Sequence, residues 1–125
     1  MRERFWLTPP DLMADLQERF AFDFDPCPNP VPKGFDGLTA EWGASNWVNP
    51  PFVGRMAVWV RRCADVGKTR RVVLAIPCFR QRAISQAVAL EADMEWLGAV
   101  RWISIESGAV GEPVPTLIAI WGRSR

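Results

Sequence analysis

One apolar run constrains the fold of this 125-residue chain more than any other feature. Val72-Val73-Leu74-Ala75-Ile76 contains no polar residue, and Pro77 follows it directly. An uninterrupted aliphatic run of this length predicts a strand that is buried on both faces. A strand of that kind belongs to a sheet with helices on both sides, so the run predicts an α/β fold.

Other periodic segments predict the helices and strands around this one. Leu12, Leu16 and Phe20 recur at helical spacing, and Thr8-Pro9 before them predicts a helix that begins at Pro9 with Thr8 as its N-cap. Further helices are predicted over 56–66, which Gly67 caps, and over 83–92, with strands over 22–25, 102–105 and 116–121. This order predicts a single domain over 1–125, with a mostly parallel sheet that ends in an antiparallel hairpin.

The composition excludes several classes of site. The chain has no histidine, so neither a Ser-His nor a Cys-His nucleophile can form within it. Cys27, Cys63 and Cys78 are widely spaced, which matches neither a disulfide framework nor a zinc site. No stretch approaches the roughly 18 apolar residues of a membrane span, and no apolar signal region follows the charged N-terminus. We therefore expect a cytoplasmic protein with reduced thiols, no metal and no membrane partner.

The segment that says most about function is Asn49-Pro50-Pro51-Phe52. Asn49 brings an amide oxygen and an amide NH2 group in fixed geometry. The two prolines stiffen the turn and remove two backbone donors, which leaves the carbonyls of Asn49 and Pro50 available as acceptors. The ring of Phe52 offers a face on which a flat molecule can stack. The segment predicts a rigid pocket for a planar amine, and the alternative is an ordinary Pro-Pro turn after a strand.

The net charge of +1 conceals a strongly basic segment. Residues 53–82 carry eight basic side chains against Asp65, a net charge of +7, and both flanking segments are acidic. Seven of the eight are arginines, whose guanidinium groups match the geometry of phosphate. We expect these seven to contact a nucleic-acid backbone: Arg55, Arg61, Arg62, Arg70, Arg71, Arg80 and Arg82. The alternative is a solvated helix face and loop.

Several motifs follow one another in an order that is typical of one enzyme family. They are Trp6-Leu7-Thr8-Pro9-Pro10, Phe22-Asp23-Phe24-Asp25-Pro26-Cys27-Pro28, Asp36-Gly37-Leu38 with Trp42, Trp47-Val48-Asn49-Pro50-Pro51-Phe52, and residues 115–122. Through these motifs most of the chain resembles the phage-type DNA adenine methyltransferases (Dam-like). Members of that family transfer a methyl group from S-adenosylmethionine to the exocyclic N6 amino group of adenine. The resemblance implies a Rossmann-like methyltransferase fold, double-stranded DNA as the partner, and a phage or prophage gene expressed in a bacterial host cell.

The resemblance assigns the chemistry to the turn after the strand. Asn49 and the carbonyl of Pro50 would accept hydrogen bonds from the amino group of the adenine. Pro51 would hold the turn rigid. Phe52 would stack on an adenine flipped out of the duplex, which is a general requirement for chemistry on a base.

The resemblance also assigns a cofactor site. Thr8, Pro9 and Asp25 would bind the methionine end of S-adenosylmethionine, with Asp25 as the acceptor for its ammonium group. Asp36 would accept a hydrogen bond from the amino group of the cofactor's adenine. Trp6 and Asn49 complete this predicted site. As alternatives, Asp25 is a turn residue at a strand end and Asp36 a turn former before glycine.

The chain departs from the family pattern in two ways that affect the expected sheet and the expected recognition of DNA. Only ten residues separate Asp25 from Asp36, too few for the strands and helices that a full methyltransferase sheet places there, so we expect a shortened sheet. There is also no room for a separate target-recognition domain. Sequence preference must then be short or relaxed, or a second subunit must contribute, and a homo-oligomer is compatible with this. Two other functions stay open: transfer to another planar amine, such as cytosine N4 or a glutamine amide, and a non-catalytic nucleic-acid-binding or inhibitory relative.

Overall fold

A computed structural model of the protein describes residues 6–51 and 54–122. Within these ranges the chain forms three helices and six strands. In chain order they are β1 (Trp6–Leu7), α1 (Pro10–Phe20), β2 (Ser45–Val48), α2 (Met56–Val66), β3 (Arg71–Pro77), α3 (Gln81–Ala89), β4 (Asp93–Val100), β5 (Ile103–Ser104) and β6 (Val114–Trp121). The predicted α/β class is confirmed, and α2 has the predicted bounds, with Gly67 as its C-cap.

The main sheet contains four strands in the order β2-β3-β6-β4. Strands β2 and β3 are parallel, and β6 is antiparallel to both of its neighbours, β3 and β4. Strands β2, β3 and β4 therefore run in one direction, and β6 runs against them. Beyond β2, Phe24 makes a single parallel bridge to Asn46. We call the edge where Phe24, β2 and β3 end the carboxyl edge, and the opposite one the amino edge.

The prediction of a mostly parallel sheet is wrong at the level of strand pairing, because the sheet is mixed. Strand β6 lies between β3 and β4 and is antiparallel to both. Although β3 and β4 run in the same direction, they therefore do not pair with each other. The hairpin predicted between 102–105 and 116–121 is also wrong, because the main-sheet partners of β6 are β3 and β4. Sequence patterns miss β4 because Asp93, Glu95 and Gly98 interrupt its apolar residues, a composition that edge strands tolerate.

The segment predicted as the first hairpin strand belongs to a second, two-stranded sheet. Strand β5 pairs antiparallel with β1, so that Ser104 lies opposite Trp6. The strand predicted over 22–25 is reduced to the bridge at Phe24. Helix α1 begins at Pro10 rather than Pro9, and no side chain caps it. Pro10 has no N–H, which removes one of the donors that a Thr8 cap would have satisfied.

Strand β3 is buried on both faces, as its composition predicts. Val72, Leu74 and Ile76 pack in a cluster with residues of α2 and α3. Val73 and Ala75 point to the other side and pack in a cluster with residues of α1. All five side chains are fully buried. This double burial places the helices on both faces and holds the ends of the neighbouring strands in fixed positions.

Asn46, in the middle of β2, is a buried polar residue with a purely structural set of partners. Its Oδ1 accepts the Gly43 N–H, and its Nδ2 donates to the carbonyls of Gly43 and Arg71, each at 2.9 Å. Because alanine would leave these backbone groups unpaired, we expect Asn46→Ala to lower the free energy of unfolding by about 2–4 kcal/mol. Chemical denaturation measures this change. The exposed control Ser85→Ala should stay within about 0.5 kcal/mol of the parent, and an equally small effect at Asn46 would contradict the prediction.

Candidate functional site

The loops that follow Phe24 and β2 enclose a cavity at the carboxyl edge. Its volume is about 380 Å³, within the range of roughly 300–1,000 Å³ that small-molecule sites occupy. It is lined by residues 6–8, 25–29, 35–37 and 49–51, together with Met13, Val31, Trp47, Trp59 and Ile105. Ligands of open α/β sheets bind outside the carboxyl ends of the strands, and this cavity has that location.

Asn49 holds a buried hydrogen-bond acceptor in the wall of this cavity. Its Nδ2 donates to the carbonyl oxygen of Trp6 at 2.8 Å. Because a carbonyl can only accept, this contact determines the orientation of the amide and directs Oδ1 elsewhere. Among the described residues, Oδ1 of Asn49 has no hydrogen-bond partner, although it is buried. An acceptor left in this state costs about 1–3 kcal/mol until a donor reaches it.

Asp25 lines the cavity, one residue beyond the bridge at Phe24. Its Oδ1 accepts the Cys27 N–H at 2.8 Å, which is the ordinary turn contact of an aspartate at a strand end. Part of the residue stays accessible to solvent, but the surrounding groups displace enough water to raise the pKa of its carboxyl, and the Cys27 N–H opposes part of that rise. Within the described residues Oδ2 has no hydrogen-bond partner. A cation in the cavity would therefore find a carboxylate oxygen without a hydrogen-bond partner among the described residues.

Asp36 and Gly37 form the floor of the cavity on the side of the Pro-rich loop. Oδ1 of Asp36 accepts the Leu38 N–H at 2.9 Å, so Asp36 is a turn former as well as a lining residue. A Cβ atom at Gly37 would overlap the carbonyl oxygen of Pro26, so no larger residue fits there without a shift of the loop. The Gly37 carbonyl in turn accepts the indole N–H of Trp42 at 2.7 Å. These contacts tie the loop to Trp42 and bring Gly37 close to Pro26.

The remaining predicted residues fall partly inside and partly outside the cavity. Trp6, Thr8, Pro50 and Pro51 line it, whereas Pro9 does not. No hydrogen bond reaches the carbonyl of Pro50 from the described part of the chain. Phe52, the predicted stacking residue, lies outside the described residues.

Several lining residues have no counterpart in the sequence predictions. Phe35, Val31 and Trp59 add apolar surface, and the rings of Phe35 and Phe24 lie 6.3 Å apart. The Pro-rich composition of 26–37 predicts an ordered loop but does not show which side chains turn inward. Ile105 reaches the cavity through the pairing of β1 with β5, which no local pattern reveals. Burial and the nearby Asp25 carboxylate raise the pKa of the Cys27 thiol, so that this lining residue stays protonated and apolar.

The seven arginines predicted to bind phosphate are spread over the molecule. Arg55 precedes α2, while Arg80 and Arg82 follow β3, and all three are at the carboxyl edge. Arg80 and Arg82 line a groove with Gly54, Met56, Phe79 and Gln86, and within the described residues this groove contains no acidic side chain. Arg61 is exposed farther along α2, in a different groove that also contains Glu91 and Asp93.

Three of the arginines have structural contacts instead. Arg62 donates to the Ala40 carbonyl at 2.9 Å and lies over the ring of Trp42. Arg70 contacts the carbonyl of Trp42 and pairs with Glu41 at 3.1 Å. Arg71 donates to the carbonyl of Phe20 at 3.0 Å. Arg70 and Arg71 also stand at the start of β3, on the amino edge, about 20 Å from the cavity by the length of that strand. Their prediction as phosphate ligands beside the site does not agree with this placement.

Comparisons with protein-family models, with curated proteins and with solved structures found no match for this chain. Among residues 6–51 and 54–122, no helix is long and apolar enough to cross a membrane. In the same residues, no group of three or more Cys, Asp or Glu side chains is placed to hold a metal ion. The case for a function therefore depends on the geometry of the cavity and its surroundings.

Proposed function

We propose that the protein is an S-adenosylmethionine-dependent DNA methyltransferase that acts on the N6 amino group of adenine. One observation carries the proposal: four separate motifs of the chain meet at one cavity whose wall holds an unpaired acceptor, Oδ1 of Asn49. Residues 6–8, 25, 36–37 and 49–51 are far apart in sequence, and the fold brings them together at the edge where α/β sheets bind their ligands. A hydrogen-bond donor is the complement that this acceptor requires, and the amino group of adenine is such a donor.

The direction of the strands supports a shortened Rossmann-like methyltransferase sheet as the scaffold. Phe24, β2 and β3 are parallel neighbours, and α2 connects β2 to β3 as a crossover helix. Helix α3 in the same way separates β3 from β4, which runs in the same direction. Strand β6 is then the one reversed strand, inserted near the end of the sheet. Crossover helices between parallel strands create the crevice at the carboxyl edge in which such folds bind their ligands.

The cavity residues fit the cofactor that the proposal requires. The Asp25 carboxylate suits the ammonium of an amino-acid tail, and Asp36 suits the amino group of an adenine. The apolar walls at Val31, Phe35 and Trp59 suit a flat ring between them. S-adenosylmethionine would supply an electrophilic methyl group on a positively charged sulfur.

The turn at 49–51 has the donors and acceptors that an adenine amine needs. Oδ1 of Asn49 and the carbonyl of Pro50 would accept its two N–H bonds, which directs the nitrogen lone pair away from them. As the nitrogen gains positive charge, these fixed acceptors disperse it without a reorganisation of solvent. No strong base is required before the attack, which is consistent with a chain without histidine.

The basic residues at the carboxyl edge support DNA as the substrate. Arg55 and Arg80 occupy the N-cap positions of α2 and α3, and neither helix has an acidic residue in its first turn. A positive side chain at the positive end of a helix dipole costs stability, typically about 0.3–1 kcal/mol. An anion bound at this edge would reverse that cost. The phosphates of a DNA strand that enters the cavity would be such anions.

Incubation of duplex DNA with methyl-labelled cofactor, followed by digestion to nucleosides, tests the proposal. Label in N6-methyladenine supports it. Label in N4-methylcytosine would instead select the cytosine amino group as the target. No label in any product, together with no binding of S-adenosylhomocysteine at millimolar concentration in calorimetry, would assign the protein to the non-catalytic alternative.

Asp25→Asn is predicted to weaken cofactor binding while it stabilises the protein. Because the folded chain raises the pKa of this carboxyl, it holds the proton to higher pH than the unfolded chain does. Asp25 therefore costs stability once the pH rises past the ordinary aspartate range, and asparagine removes that cost but keeps the acceptor for the Cys27 N–H. We expect a higher melting temperature near neutral pH, and no gain in acid. S-adenosylhomocysteine should bind about 10- to 100-fold more weakly.

Both parts of this prediction can fail separately. An unchanged dissociation constant in calorimetry would contradict the role of Asp25 in binding the ammonium group. A lower melting temperature near neutral pH would contradict the stated cost of partly removing water from its carboxylate.

Removal of two arginines at the carboxyl edge should reduce the salt dependence of DNA binding. In the double variant Arg55→Ala, Arg82→Ala, the slope of log K against log salt should shrink by about 2, because each lost phosphate contact contributes about 0.9. The matched control is Arg61→Ala, Lys68→Ala, which removes the same charge from the groove that also holds Glu91 and Asp93. Anisotropy titrations at several salt concentrations compare the two. Equal slopes for both variants would assign Arg55 and Arg82 to a merely solvated surface.

A further inference from the structure

Phe79 is an exposed aromatic residue on a rigid turn at the carboxyl edge. About half of it is exposed (52%), although the hydrophobic effect favours burial of such a ring. The Arg80 N–H donates to the Pro77 carbonyl at 2.9 Å and the Cys78 N–H donates to the Pro115 carbonyl at 2.8 Å, so the turn is tied to β3 and to β6. The ring is therefore presented by a preorganised support, which lowers the entropic cost of using it.

The surroundings of Phe79 are positively charged. Arg80 places its guanidinium over the ring, with its carbon 5.9 Å from the ring centre, and Arg82 follows on the first turn of α3. The groove beside the ring also contains Gly54, from the segment that leads away from Asn49, Pro50 and Pro51. Proteins that hold an unpaired nucleotide strand combine exposed aromatic rings with positively charged side chains along a groove, and this groove contains both.

We propose that Phe79 stacks on an unpaired base of the DNA strand, beside the base that enters the cavity. This inference depends on the proposed DNA substrate and adds a binding site outside the catalytic cavity. Extraction of one base from a duplex leaves its neighbours partly unstacked. A ring fixed at the same edge replaces some of the lost stacking, and the arginines in the same groove contact the adjacent phosphates.

Binding of a short single-stranded oligodeoxynucleotide that contains one 2-aminopurine tests the proposal without cofactor. Stacking on Phe79 should quench the fluorescence of the 2-aminopurine. Phe79→Ala should weaken binding by about tenfold or more and remove the quenching. Phe79→Leu should behave like the alanine variant, because it keeps apolar area but has no ring, whereas Phe79→Trp should bind at least as tightly as the parent.

Trp96→Ala is the matched control, since Trp96 is also exposed (61%) but lies on β4. It should leave the affinity and the quenching unchanged. Three results would each overturn the proposal. They are parent-like affinity of Phe79→Ala, parent-like affinity of Phe79→Leu, and a loss of affinity in Trp96→Ala equal to that in Phe79→Ala. The assay contains no cofactor, so it tests the stacking site separately from catalysis. If the quenching depends on Phe79 but the protein methylates no DNA, the catalytic proposal is refuted and the stacking site stands.

Discussion

Replacement of Asn49 with alanine is expected to reduce methyl transfer by about 100- to 1,000-fold, the loss found when one preorganised polar group is removed from an active site. The expected cause is the loss of Oδ1, the buried acceptor without a partner among the described residues. Binding of S-adenosylhomocysteine should change little, because Asp25, Asp36 and the apolar walls remain. Single-turnover rates with labelled cofactor and calorimetry on the same preparation measure the two effects.

Asn46 and Asn49 provide an internal comparison for this prediction. Asn46 has three hydrogen bonds to backbone groups, whereas Asn49 has one, to the Trp6 carbonyl. Asn49→Ala should therefore lower the free energy of unfolding by less than Asn46→Ala does, because the loss of its one hydrogen bond is offset by the removal of the unpaired Oδ1. Asn49→Asp, which keeps an acceptor oxygen, should recover part of the rate. A wild-type rate in Asn49→Ala would show that the assigned role is wrong.

Among substitutions of non-polar cavity residues, Gly37→Ala is expected to weaken cofactor binding the most. The added Cβ would overlap the Pro26 carbonyl oxygen and lie 2.8 Å from its carbon, so the loop that forms the cavity floor must move. Overpacking of this kind typically costs about 1–3 kcal/mol. Because Asp36 and Pro26 both line the cavity, we expect the affinity for S-adenosylhomocysteine to fall by about tenfold or more, in line with that cost.

Gly34→Ala is the control in the same loop. Nothing lies within 4 Å of a Cβ atom at Gly34, and its positive φ of 77° adds only local backbone strain. This variant should lose some stability, about 1–2 kcal/mol, but bind the cofactor product with parent affinity. Equal affinities for the two variants in calorimetry would show that the Pro-rich loop is not part of the binding site.

Much of the fold follows from local patterns in the sequence. The apolar run before Pro77 predicts a doubly buried strand, and the helical spacing from Met56 to Val66 predicts a helix with the observed bounds. The Asn-Pro-Pro segment predicts a stiff turn that leaves the carbonyls of Asn49 and Pro50 available as acceptors, and no described group donates to the Pro50 carbonyl. These features depend on neighbouring residues only, so a short window of sequence contains their cause.

The pairing of distant strands was not predictable in the same way. The insertion of β6 between β3 and β4 depends on which strand covers which edge, and that choice is made by the whole core. The same holds for β1 and β5, whose pairing brings Trp6 and Ile105 to the cavity. The arginines of the basic segment lie at two edges of the sheet for the same reason. Arg71 begins β3 at the amino edge, and Arg80 follows the end of β3 at the carboxyl edge.

The sequence alone determined the strand that is buried on both faces, since a run of aliphatic residues has no polar face to leave in water. The tertiary structure decided which distant residues meet at its end. Asp25, Asp36 and Asn49 line one cavity because parallel neighbours end at the same edge of the sheet and the Pro-rich loop folds back over that edge. Local propensity acts over a few residues, whereas this convergence depends on contacts between segments that only the folded core brings together.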